Sequence, residues 1–101
     1  MNATLPEGAK HYLRTRDDYL KTLDILIKED ELTTLQICEK SQMELRTAVM
    51  PILAKLNTKW NMVIRTKHNA GKSTRYTTWR VNHEMVNGVK QMLKECGYDA
   101  E

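Results

Sequence analysis

The sequence has little from which to build an enzyme, a metalloprotein or a membrane protein. No apolar run in its 101 residues approaches the ~20 needed to cross a bilayer, and the first stretch, MNATLPEGAKHYLRTR, has no apolar signal core. A cytosolic protein (bacterial-type cytosol or nucleoid) is expected. Cysteine is scarce: Cys38 and Cys96 stand far apart without a Cys-x-x-Cys pair, each on the apolar side of a predicted helix, and read as buried thiols in a reducing compartment. The three histidines, His11, His68 and His83, have no metal-ligand spacing, so neither a metal nor another cofactor is expected. Residues 45–83 contain no carboxylate at all, and no Ser/His/Asp set converges with that segment, so no catalytic residues are assigned. Asp17, Asp18 and Asp24 read as helix-dipole partners and solvated surface.

Glycine is scarce as well, and one missing glycine decides a motif. Within HNAGKSTRY, residues 68–76, the run Gly71-Lys72-Ser73-Thr74 looks like the end of a phosphate-binding loop. Such a loop needs a second glycine five positions earlier, so that the backbone can wrap the phosphates, and Thr66 stands there. The following RYTTWRV is β-branched and aromatic, a strand pattern rather than the helix whose N-terminus holds a phosphate. A hairpin turn is the better reading.

What is present is a segregated charge. The net charge of +3 hides a segment, 45–83, with eight cations (Arg46, Lys55, Lys59, Arg65, Lys67, Lys72, Arg75 and Arg80), flanked by stretches in which acids outnumber bases. An excess this concentrated suits a polyanion. The hydrophobic fraction of 41% and charged fraction of 29% are those of one globular domain with a modest core.

Along the chain, residues 1–14 read as a loose arm containing Pro6 and Gly8. Thr15 is the expected N-cap of an amphipathic helix carrying Tyr19, Leu20, Leu23, Leu26 and Ile27 and ending near Lys28. Thr33 and Gln36 fit a capping box, with Leu35 and Cys38 expected to face inward and Leu32 to pair briefly with a later strand. Ser41 and Glu44 repeat the box and open a helix whose apolar face is Leu45, Val49, Ile52, Leu53 and Leu56. Pro51 is expected to kink or interrupt that helix unless it starts later. The period then changes to two: NMVIRTK and RYTTWRV flank a turn at Asn69–Gly71, with Trp79 and Val81 expected in the core and Tyr76, Thr78 and Arg80 on the other face. Asn82 caps a final helix with the stripe Met85, Val86, Val89, Met92, Leu93 and Cys96, ended by Gly97. That stripe either packs on its own domain or supplies dimer contacts, in which case Met85, Val89 and Met92 are the candidates.

A helix, a helix-turn-helix and a basic two-stranded hairpin in this order resemble a winged-helix DNA-binding domain, over about Asp17 to Asn82. The resemblance implies an α+β fold: a winged helix-turn-helix with a three-helix core and a basic β-hairpin wing at 15–82, a C-terminal amphipathic helix at 83–97 and a tail at 98–101. It also implies that the second helix of the pair enters the major groove of double-stranded DNA. Its exposed N-terminal face would be Gln42, Met43, Arg46, Thr47 and Met50. Arg46 would pair with guanine and Gln42 with adenine, while Met43 and Met50 either touch a thymine methyl or are partly buried. The wing and its entrance would contribute Lys59, Arg65, Lys67, Lys72, Ser73, Thr74 and Arg75 to the backbone, with alternation placing some of these on opposite faces. Trp60 reads as a lid on the core or a stacking platform. The departures from the pattern are Pro51 and an extra residue in the turn at Ser41–Met43.

The function implied is a sequence-specific DNA-binding protein, a small transcriptional regulator acting as a homodimer. A plasmid or phage replication or partition protein is the nearest alternative. A winged-helix adaptor with an acidic protein partner is an alternative of another class.

Overall fold

Leu20, Leu23 and Leu26 recur every three residues, and with Tyr19 and Thr22 they form the buried face of a helix that meets every other layer of the molecule. The computed structural model describes residues 5–70 and 74–98, of Ala70 and Thr74 only the backbone. In the described residues the order of elements is α1 (Ala9–Leu13), α2 (Asp17–Glu29), β1 (Leu32–Thr33), α3 (Thr34–Ser41), a wide π-type turn at Leu45–Val49, α4 (Met50–Thr58), β2 (Val63–Ala70), β3 (Thr74–Val81), a single 3-10 turn at His83–Met85 and α5 (Val86–Glu95). This is an α+β fold, with helices packed on a three-stranded antiparallel sheet of order β1-β3-β2. None of the described helices is long and apolar enough to cross a membrane.

The segment expected to be a loose arm is structured from Ala9 onward. Ala9 and Leu13 are fully buried, and burial of a leucine of this kind contributes about 1.5–3 kcal/mol. Lys10 adds an ion pair to Glu95 of α5 at 2.7 Å. Five residues give too short a period to stand out in the sequence. The N-cap of α2 is Arg16 rather than Thr15; it is extended and makes no side-chain cap bond, while Asp17 and Asp18 occupy the first turn as expected.

Thr33 and Gln36 complete a reciprocal capping box: Gln36 N–H donates to Thr33 Oγ1 at 3.2 Å and Thr33 N–H to Gln36 Oε1 at 2.8 Å. The box starts the helix at Thr34, which turns Ile37 and Ser41, one turn apart, into the core. Leu35 lies two residues from Ile37, on the far side of the helix, and is 66% exposed rather than inward. Cys38 and Cys96 are half-buried free thiols, and burial pushes the Cys38 thiol up from its ordinary value.

The hairpin has the expected period of two. Val63 pairs with Val81, Arg65 with Trp79 and Leu32 of β1 with Trp79 on its other side, so these side chains share the sheet face that meets the helices. Trp79 and Val81 are buried as expected, and the Trp79 indole donates to Thr34 Oγ1 at 2.8 Å. On the opposite face Arg80, expected to be exposed, is half-buried, and its Nη1 is buried without a hydrogen-bond partner among the described residues.

Asn82 caps the last helical segment, accepting from Glu84 N–H at 3.0 Å. Helix α5 closes with Gly97 at φ +94, Tyr98 N–H on the Leu93 carbonyl at 2.8 Å and Gly97 N–H on that of Lys94 at 3.2 Å. This is the paired bonding of a glycine-terminated helix, and the left-handed backbone at Gly97 is what needs the glycine. Val89, Met92 and Leu93 are fully buried against the chain's own core. Val89 and Met92 therefore have no surface to offer a second subunit, and Met85 is half-buried beside them.

Candidate nucleic-acid interface

The turn between α3 and α4 differs from the expected one in register. Ser41 is the last residue of α3 and is fully buried; its hydroxyl donates to the Cys38 carbonyl at 3.5 Å and accepts from Met43 N–H at 3.2 Å. Engaged there, it cannot cap the next helix. Gln42 takes the left-handed conformation, φ +63, and its side chain donates to the Glu39 carbonyl at 3.2 Å. The cap passes to Glu44, whose carboxylate accepts from Thr47 N–H at 2.8 Å and Thr47 Oγ1 at 2.9 Å. These bonds, the backbone one first, hold the Glu44 carboxyl below its ordinary value of 4.5.

From Glu44 the chain enters a wide turn rather than a regular helix: Val49 N–H reaches the Glu44 carbonyl at 3.0 Å, and Met50 N–H reaches that of Leu45. Only after this turn does α4 begin, which puts Pro51 in its first turn, where a missing N–H is tolerated. Pro51 thus does not break α4, and the extra residue of the wide turn is absorbed ahead of it. Val49, Ile52, Leu53 and Leu56 are buried, as their spacing predicts, and Leu45 is half-buried.

Of the five residues expected on this helix face, three are there. Arg46 and Thr47 project from the wide turn and Met50 from the start of α4, all exposed, with Met50 51% so. Gln42 and Met43 belong to the preceding turn: Gln42 is tied to α3, and Met43 is half-buried against the core. Sequence spacing missed this because the left-handed residue that ends α3 is a glutamine, not the glycine that normally marks such a stop.

On the hairpin, the register pairs Arg65 with Trp79, Lys67 with Thr77 and Asn69 with Arg75. Arg65, Lys67 and Arg75 therefore lie on one face, the one that meets the helices nearer its base. The expected division of the cations between faces does not occur among the described ones; Lys72, Ser73 and the side chain of Thr74 lie outside the described residues. An open cleft of about 440 Å³ at this end of the hairpin is lined by Lys67, Asn69 and Arg75 together with His68, Tyr76 and Thr77. Among the described residues, none of Arg46, Arg65, Lys67 and Arg75 is paired with a carboxylate.

The other face is internally bonded, which the sequence did not disclose. The His68 ring stacks on Tyr76 with centroids 4.6 Å apart and planes 8° from parallel. Thr78 donates its hydroxyl to the Glu31 carboxylate, so the His68 Nε2 that lies 2.8 Å from the same oxygen must donate to it. Glu31 Oε2 is itself 3.7 Å from His68 Nε2. Alternation predicts that Tyr76 and Thr78 share a face, but Glu31 is brought to them only by the packing of β1.

At the hairpin entrance Trp60 is 6% exposed, a lid on the core, and the Lys59 ammonium stands 5.4 Å above its ring. No group of three or more His, Cys, Asp or Glu among the described residues is placed to hold a metal ion.

No protein-family model matches the sequence, and no curated protein matches it. Among solved structures, one named a possible transcriptional regulator from Methanosarcina mazei Go1 has a similar fold: TM-score 0.60 over 95% of this chain and 86% of that one, at 14% sequence identity. At that identity the likeness is one of fold.

Proposed function

We propose that the chain is a winged-helix protein that binds double-stranded DNA as a transcriptional regulator, with the wide turn and α4 in the major groove and the β2–β3 hairpin as the wing. One observation carries this reading. Arg46 and Thr47 stand exposed on the wide turn and Met50 at the start of α4, the cations Arg65, Lys67 and Arg75 share the sheet face that looks toward the helices, and no carboxylate occurs anywhere in residues 45–83 to neutralise them. The similar fold of a protein named as a possible transcriptional regulator supports it.

The chemistry follows from the side chains. Arg46 is the specificity residue: its planar fork matches guanine O6 and N7, a contact worth about 1–3 kcal/mol of discrimination. Met50 offers an apolar surface to a thymine methyl. Arg65, Lys67 and Arg75, together with Lys72, Ser73 and Thr74, hold phosphates, which sets affinity and register but not sequence. A lone domain reads few bases, so two copies on an inverted repeat would raise specificity, meeting through a surface other than the buried stripe of α5.

Selection of bound sites from random duplexes tests this reading. The wild-type chain should enrich a short motif, and Arg46→Ala should flatten the preference at one base pair by roughly tenfold to a hundredfold. An unchanged motif with the variant folded would remove Arg46 from the base-reading position.

A further inference from the structure

Three further cations gather where neither the exposed face of α4 nor the hairpin accounts for them. The Arg16 guanidinium lies 4.2 Å from the centre of the Tyr12 ring, the Lys55 ammonium 4.8 Å and the Lys59 ammonium 5.8 Å. Tyr12 is held from behind: Tyr19 meets it edge-on with centroids 5.7 Å apart, and Trp60 lies at 5.2 Å. Lys55 Nζ also donates to the Tyr12 hydroxyl at 3.0 Å. Arg16 comes from the cap of α2, Lys55 from α4 and Lys59 from the C-cap of α4, while Tyr12 belongs to α1. Among the described residues none of the three is paired with a carboxylate.

Like charges converging on one ring repel one another, and the ring's negative face offsets only part of that repulsion. The cations are thus arranged for an anion supplied from outside. Their position says which. Lys55 and Lys59 follow the exposed column Met50–Ala54 by about 100° around the helix, the angle of one residue. A helix about 10–12 Å wide fills a major groove about 12 Å wide, so side chains on its flank face the phosphates at the groove's rim.

We propose that Arg16, Lys55 and Lys59 form a phosphate clamp for one strand of duplex DNA at the rim of the major groove, with Tyr12 as the positioning residue that gathers them. The clamp rests on the insertion of α4 proposed above and extends the contact surface to Tyr12, Arg16 and Lys55. Lys59 would act with these residues rather than with the hairpin. Tyr12 keeps the two lysine stems and the guanidinium splayed around one ring, so the three charges meet adjacent phosphates without reordering on binding.

The test is the salt dependence of binding of the full chain to random-sequence duplex. Removing all three cations, as Arg16→Gln with Lys55→Gln and Lys59→Gln, should weaken binding to every duplex alike. It should also lower the slope of log K against log salt by about 0.9 for each phosphate no longer neutralised. Glutamine keeps much of each stem, and Lys59→Gln alone, at an exposed position, serves as a second variant should the triple fail to fold, with an expected fall of about 0.9. Tyr12→Phe should reduce affinity without abolishing the slope, and Lys55→Arg should restore it. A wild-type slope in the folded glutamine variants, with site selection by Arg46 intact, would overturn the clamp and leave the function standing. No binding of the wild-type chain at low salt would remove both.

Discussion

The two faces of the β2–β3 hairpin are made from the same pair of eight-residue strands, yet they are finished in opposite ways. On one, His68, Tyr76, Thr78 and Glu31 are joined to one another by stacking and hydrogen bonds, so that this part of the face is closed chemically, while Arg80 nearer its base is half-buried with Nη1 unpartnered among the described residues. On the other, Arg65, Lys67 and Arg75 have no carboxylate partner among the described residues. A charge left without a partner at a surface is stabilised only by water, and can exchange that water for an anion; a bonded network has no such capacity left. Under the proposed function, the bonded side would hold the hairpin in place and the open side would meet phosphate.

Charge removal on the open face should give the largest effect. Lys67→Ala combined with Arg75→Ala should weaken binding to all duplexes by on the order of tenfold to a hundredfold and lower the salt slope by about 1.8, with thermal stability nearly unchanged. Filter binding at several salt concentrations measures both, and a loss confined to one sequence would contradict a phosphate role.

Thr78→Val on the closed face should do the reverse. It leaves Glu31 and His68 without their shared hydroxyl and should cost about 1 kcal/mol of stability, read from the denaturant midpoint, with the duplex affinity of the folded protein unchanged. Equal loss of binding from this variant would erase the distinction between the faces.

The smallest effect concerns Glu44, the carboxylate that caps the wide turn ahead of α4. Glu44 is held below its ordinary value by Thr47, so its contribution to stability is complete above 4.5 and is lost as the pH falls through the lower folded value. Thermal midpoints of the wild type and Glu44→Ala should therefore differ by a few degrees at neutral pH and converge in acid. A gap that persists at low pH would mean that the carboxylate is not the cap.

Local rules recovered much of this. The Thr33–Gln36 capping box, the pairing of Leu32, the alternation of the hairpin, the stripe of α5 and the stop at Gly97 all depend on residues a few positions apart, and a sequence displays such relations directly. What escaped depends on distance or on competition. The capping-box pattern makes Ser41 the cap and Glu44 its partner, but Ser41 is buried and engaged within α3, and the cap passes to Glu44. Pro51 does lack a donor, but the wide turn moves the start of α4 so that the donor is not needed. Leu35 follows from where the helix begins, and α1 is too short to show a period. The bond from Thr78 to Glu31 spans 47 residues, and the ring of cations around Tyr12 joins three helical elements. Neither leaves a trace in local spacing.

Duplex binding itself is the point on which the rest depends, and titration of the full chain with a random-sequence duplex from low to moderate salt addresses it most directly. The expected result is binding at low salt that weakens linearly in log K against log salt, with a slope corresponding to several phosphate contacts. Absence of binding at low salt, or binding indifferent to salt, would contradict it.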